Sequence, residues 1–221
     1  VYLAIWEDID YITVYDPASQ EYFVIAEKLL KKYFKSPDQY RFIYRQKGKE
    51  LKNLTYQPLF PYVQNSQIED QYKDQFFQLL SGDFVTTEDG TGIVHIAPSF
   101  GEVDFWAVAE KLGWEFARDW IFMPVDEYGT FTDLVPDFAG MKVMDSNKAI
   151  IEQLKSAGKL VKAESINHSY PHCRRCKTPL IYKAMSSRFI KEKEMNAQTW
   201  TDAEQINFTP ASVKNRFVNG L

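Results

Sequence analysis

The chain has 221 residues, a net charge of −4, 45% hydrophobic and 15% aromatic residues. That composition excludes disorder, and the acidic balance excludes a protein that grips a long nucleic-acid backbone through a basic face, while contact with the last nucleotides of a strand stays open. The two cysteines, spaced Cys-x-x-Cys, exclude a secreted disulfide framework.

No apolar run approaches a membrane span and no signal peptide is present. The chain opens at Val1 in mid-strand register, without a methionine, and reads as a piece of a larger cytosolic protein. Residues 9–27, "IDYITVYDPASQEYFVIAE", alternate apolar and polar side chains around an Asp-Pro turn and predict a β-hairpin. "AEKLLKKYF" follows as a short basic helix, and "YRFIYRQ" (40–46) as another strand. "LKNLTYQPLFPYV" carries two prolines and reads as an irregular crossing loop. "FFQLLSGDFVT" (76–86) is strand-like, and "IVHIA" is a strand stopped by Pro98, which has no donor for the ladder.

Ser99 and Glu102 have the spacing of an S-x-x-E capping box, which predicts a helix over roughly 100–112 ending at Gly113. In it Phe105, Trp106, Ala109 and Leu112 make a core-facing stripe. "IFMPVDEYGTFTD" is a second hairpin candidate. "DSNKAIIEQLKSAG" is a helix with Asp145 or Ser146 as N-cap and Gly158 as terminator, and "KLVKAESINHSY" reads as a long strand. Many short strands with three interspersed helices suggest an α+β fold, a mixed, partly closed, barrel-like sheet with peripheral helices. Residues 1–163 read as one folded body and 164–221 as a departing arm.

The segment "GTGIVHIAPSFGEVDF" (90–105) carries the chemistry. Gly90 and Gly92 permit close backbone approach, but His95 stands where a third glycine of G-x-G-x-x-G belongs, and no phosphate-binding lysine follows. A nucleotide-binding loop is therefore disfavoured. In a strand, His95 shares a face with Ile93 and Ala97, opposite Val94 and Ile96, so it can face a cleft while they face the core. The helix that follows brings Asp104 back within its first two turns. A strand, a turn and a helix start can thus set an imidazole and a carboxylate on one rim, to hold an ammonium group or orient water. The plain alternative is a structural histidine and an aspartate that complements the helix dipole.

Cys173 and Cys176 have thiolate spacing for half a zinc site, with His168 and His172 as the nearby extras and no second cysteine pair, so two structural thiols are the stronger reading. Residues 27–52 hold nine Lys/Arg against three acidic residues, a pattern typical of a solvated face.

Four ordered segments resemble the editing domain (connective polypeptide 1) of isoleucyl-tRNA synthetases. They are "GKELKNLTYQPLFPYV" (48–63), "GTGIVHIAPSFGEVDF", "VDEYGTFTD" and "SYPHCRRCKTPLIYKA" (169–184). His95 favours this member over the valyl and leucyl relatives, with the valyl enzyme as runner-up. The resemblance implies proofreading of valine misattached to tRNA(Ile), by ester hydrolysis with a positioned water and no cofactor. A pocket that accepts isoleucine cannot strongly exclude valine, because one methylene is worth only about 1–3 kcal/mol. The isoleucyl enzyme is itself the standard illustration of that limit.

By the same resemblance Asp104 binds the α-amino group, and His95 lines the side-chain pocket near the ester. Ala97 and Pro98 shape its wall, and Gly90 and Thr91 lie near the terminal adenosine. Residues 164–221 become a return arm toward the aminoacylation domain, and the implied partners are the tRNA(Ile) 3′ end and the rest of a monomeric, cytoplasmic synthetase, with zinc possible in the parent. Two features depart from the family. Its threonine-rich segment, WTTTPWTLPSN, corresponds to residues before Val1, and arginine replaces tryptophan at Arg174 and Arg188. The rival of another class is a non-catalytic module that binds an RNA end or a partner protein.

Overall fold

A computed structural model describes residues 2–64, 66, 68–88, 90–165 and 169–218. The chain divides into two compact units, Val1–Ala184 and Met185–Leu221. The arm expected to depart at residue 164 thus stays with the first unit as far as Ala184, whose N–H donates to the Ser99 carbonyl at 2.8 Å.

The first unit contains, in order, β1 (Tyr2–Ile5), β2 (Asp10–Asp16), β3 (Glu21–Ala26), α1 (Leu30–Tyr33), β4 (Arg41–Lys47), α2 (Gly48–Leu51) and α3 (Asp70–Lys73). It continues with β5 (Leu79–Ser81), β6 (Val94–Ile96), α4 (Glu102–Leu112), α5 (Trp114–Asp119) and α6 (Val143–Ser156). The second unit holds α7 (Glu192–Gln205) and α8 (Ser212–Val218). No helix among the described residues is long and apolar enough to cross a membrane.

The predicted hairpin is present as β2–β3. Asp16 closes it by accepting from the Ala18 N–H and the Ser19 hydroxyl, both at 2.8 Å, and Gln20 takes the left-handed conformation at φ 60°. β4 pairs on the other side of β2, giving an antiparallel sheet in the order β3-β2-β4. β1 pairs parallel with β5 and antiparallel with β6, giving a second sheet in the order β5-β1-β6. The fold is mixed α and β as expected, but the strands form two separate three-stranded sheets, and no closed sheet is found among the described residues. Two clusters make the core. Tyr2, Ala4, Leu80 and Ile96 pack with Val108, Ala109, Phe116 and Ala117 of α4 and α5. Ile5, Tyr11, Ala26, Leu29, Leu51 and Leu79 draw residues of both sheets together.

Several local expectations give way to tertiary partners. The Ser99–Glu102 capping box is absent: Gly101 is the N-cap of α4 without a side-chain bond, and the Ser99 hydroxyl donates instead to the Phe122 carbonyl. Trp106 leaves the expected core stripe, lies half-exposed and packs at a tilt against Trp114 with ring centroids 5.4 Å apart, while Ala107, Val108 and Ala109 are buried. α6 begins at Val143, ahead of Asp145 and Ser146, because the Val143 N–H finds the Gly129 carbonyl at 3.0 Å and needs no side-chain cap. It ends at Ser156 with Ala157 as C-cap, and the expected terminator Gly158 follows at φ +67°.

The strand expected over 76–86 shrinks to β5, and the second hairpin to one antiparallel bridge, Val125 to Phe131. Residues 159–165, 169 and 170 form no strand, and residues 166–168 of that expectation lie outside the described residues.

Candidate functional site

β6 carries His95 at the edge of its sheet, registered against Leu3 of β1. Ile96 is buried in the core, and the alternation turns Thr91, Ile93, His95 and Ala97 toward one cavity of about 840 Å³, with Pro98 and Ser99 continuing its wall. The approach to β6 is fixed by glycines. Gly92 holds φ +76°, and a Cβ there would lie 2.4 Å from the Ala26 Cβ. Its carbonyl accepts the Tyr11 hydroxyl at 2.6 Å, while the Gly90 carbonyl accepts that of Tyr33 at 3.0 Å.

Asp104 comes back to the strand end as the spacing required. Its Oδ2 accepts the Ala97 N–H at 2.9 Å. A Cβ at position 101 would sit 2.9 Å from the Asp104 carboxyl carbon, so a larger residue there would push the carboxylate aside. The carboxylate is therefore both a structural clamp and a charge beside the wall. It does not itself line the cavity, and neither does Gly90. His95 is open to the cavity on one side and crowded by protein on the other. Burial pushes its imidazole below the ordinary histidine value, against the opposing pull of the Asp104 charge. The ring is thus neutral near pH 7 and offers hydrogen bonds and volume rather than charge.

The opposite wall was not identified as site in the sequence. It is the proline-bearing loop: Tyr56, Pro58, Leu59, Phe60, Tyr62 and Val63 all face the cavity. The apolar side chains held by two prolines were the available signal. The Tyr62 hydroxyl donates to Asp137 Oδ2 at 2.8 Å and pins this loop to the segment before α6, and that bond with Gln153's holds the Asp137 carboxyl low. The Tyr2 and Tyr56 hydroxyls are buried without a partner among the described residues. Burial pushes Tyr56 up to about 12 and Tyr2 higher still. A third wall is Trp120, Ile121, Phe122 and Pro124, which had no sequence signal at all.

Cys173 and Cys176 share a tight turn in which the Lys177 N–H donates to the Cys173 carbonyl at 2.9 Å. The Cys176 sulfur lies 3.0 Å from the Thr178 hydroxyl, and hydrogen bonding from Thr178 lowers its thiol to about 7. His172 turns Nδ1 to the Tyr170 carbonyl, and His168 lies outside the described residues. Among the described residues no group of three or more His, Cys, Asp or Glu side chains can hold a metal ion. Two thiols are half of the four ligands of a closed zinc site.

No family model matches the chain. It is 41% identical over 221 residues to the isoleucine–tRNA ligase of Bdellovibrio bacteriovorus. It is 37% identical over 222 residues to the cytoplasmic isoleucine–tRNA ligase of Saccharomyces cerevisiae. Each match takes in 99% of this chain and 20% of the relative, so the chain spans about a fifth of their length. Among solved structures, the crystal structure of GlLeuRS-CP1 superposes with a TM-score of 0.52 at 18% identity, over 75% of this chain and 78% of that one. The chain therefore belongs to the isoleucyl-tRNA synthetase family, as a segment with the fold of connective polypeptide 1.

Proposed function

We propose that the chain is the editing domain of an isoleucyl-tRNA synthetase and hydrolyses valine from the 3′ end of mischarged tRNA(Ile). The observation that carries this reading is the cavity walled by His95, Ala97 and Pro98, with the Asp104 carboxylate fixed against the same turn. In the reaction, water attacks the ester carbonyl, the bond to the ribose oxygen breaks, and valine and the tRNA hydroxyl are released. Asp104 Oδ2 is occupied by Ala97, and Oδ1 is the oxygen assigned to the α-ammonium of the valyl group. Neutral His95 limits the depth available to the side chain and hydrogen-bonds near the ester. Thr91 on the cavity wall, with Gly90 beside it outside the lining, is the place assigned to the terminal adenosine.

The reading assigns the hydrolysis no cofactor and places a monomeric domain within a cytoplasmic synthetase. Its test is deacylation of Val-tRNA(Ile) and Ile-tRNA(Ile), by this chain and by a full-length isoleucine–tRNA ligase carrying residues 1–221 in place of its matching segment. Selective release of valine is the expected result. RNA-end binding without hydrolysis in either form refutes it in favour of a binding module.

A further inference from the structure

We infer that Ser99 sets the width of the cavity and thereby the strictness with which it refuses the larger side chain. The inference rests on the hydrolytic reading above. Ser99 is one of three buried polar residues among the described residues, 3% exposed, and in sequence it lies between His95 on β6 and Asp104 on α4. Both of its polar ends are used at long range. The hydroxyl donates to the Phe122 carbonyl, and the Ser99 carbonyl accepts the Ala184 N–H at 2.8 Å.

The geometry gives these two bonds a specific consequence. Ala97, Pro98 and Ser99 form one wall of the cavity, and Ile121, Phe122 and Pro124 form another. The Ser99 hydroxyl bond is a direct strut between the two. Within the turn the Ala97 carbonyl accepts the Phe100 and Gly101 N–H groups at 2.8 and 3.2 Å, and Asp104 takes the Ala97 N–H. The turn is therefore internally rigid and moves as one piece. Its distance from the Phe122 wall is set by the strut, and its tilt by Ala184. The other residues named on these two walls, Ala97, Pro98, Ile121, Phe122 and Pro124, carry apolar side chains. A sieve that separates side chains differing by one methylene has little tolerance in its aperture, since about 1–3 kcal/mol is all the discrimination such a contact supplies. Ser99 touches neither reacting atom and is a positioning residue.

The test measures kcat/KM for Val-tRNA(Ile) and Ile-tRNA(Ile) hydrolysis in the full-length ligase carrying residues 1–221. Three substitutions are compared with the unmodified sequence. Ser99→Ala removes the strut. Ala184→Pro removes the donor to the Ser99 carbonyl without altering the cavity lining. Ser146→Ala deletes an equally buried serine whose hydroxyl bonds only to Val143 within α6, at 2.8 Å.

The valine-to-isoleucine ratio is expected to fall about tenfold in Ser99→Ala, chiefly through faster isoleucine release, and in the same direction in Ala184→Pro. Ser146→Ala should leave it unchanged. An unchanged ratio in a folded Ser99→Ala overturns the inference. Should Ser99→Ala not fold, an unchanged ratio in Ala184→Pro overturns it equally. Equal loss of both activities, with the ratio kept, also overturns it, because that is general damage rather than a wider aperture. Absence of hydrolysis in the unmodified protein instead refutes the hydrolytic reading, and the inference falls with it.

Discussion

Replacing Asp104 by alanine and by asparagine separates its structural bond to Ala97 from the ammonium-binding role proposed for it. The Ala97 N–H donates to Oδ2 at 2.9 Å in a partly buried turn. A hydrogen bond to a charged acceptor contributes about 1.5–3 kcal/mol, and partial exposure puts this one at the lower end. Asp104→Ala should therefore lower unfolding stability by about 1.5 kcal/mol. Asn keeps an acceptor in the same place, and the neutral bond it makes is worth about 0.5–1.5 kcal/mol, so Asp104→Asn should cost about 1 kcal/mol or less. Hydrolysis should not follow that order. Both variants lack the charge proposed to hold the ammonium, and losing a charge-assisted contact of about 1.5–3 kcal/mol corresponds to roughly a tenfold to hundredfold fall in kcat/KM. Urea midpoints and Val-tRNA(Ile) deacylation measured side by side decide the matter. An Asp104→Asn protein that is stable and edits at the unmodified rate would falsify the ammonium-binding role and leave a structural clamp.

Three further outcomes are expected. Gly92→Ala should destabilise by about 2–5 kcal/mol, from about 1–2 for a left-handed backbone plus about 1–3 for overpacking against Ala26, read as a lower urea midpoint at constant slope. Burial lowers the His95 pKa, so the unfolded chain binds more protons than the folded one just below pH 6.5; stability is full above that value and is lost as pH falls through it. His95→Gln should flatten that dependence between pH 5 and 7.5, and an identical profile would count against the assigned environment. Tyr56→Phe removes a buried hydroxyl that has no partner among the described residues, so its melting temperature should hold or rise slightly; a clear fall would show that the oxygen is hydrogen-bonded.

What was legible in the sequence was what short-range periodicity controls. The alternation of Tyr11 to Tyr15 against Tyr22 to Ala26 gave the hairpin, and the alternation around His95 gave its face. The spacing from His95 to Asp104 correctly brought the carboxylate back to the strand end. The readings that failed did so where a distant group outbid a local one. Ser99 has capping-box spacing, yet the Phe122 carbonyl, 23 residues on, claims its hydroxyl. Asp145 and Ser146 look like N-caps, yet the Gly129 carbonyl satisfies the helix start earlier. Trp106 has core spacing but finds Trp114 across the bend at Gly113. The loop from Tyr56 to Val63 has no periodicity to reveal that it faces the same cavity as His95.

The register of β1 has a consequence for how the molecule assembles. The sheet β3-β2-β4 is built from residues 10 to 47 through neighbouring strands and can close early from local contacts. The other sheet joins Leu3 to Leu79 on one side and to His95 on the other, across loops of more than seventy residues. Contacts that distant carry the larger loop-closure entropy and slow folding. The wall bearing His95 is thus expected to form after the β3-β2-β4 sheet, a sequence that hydrogen-exchange labelling during refolding would read directly.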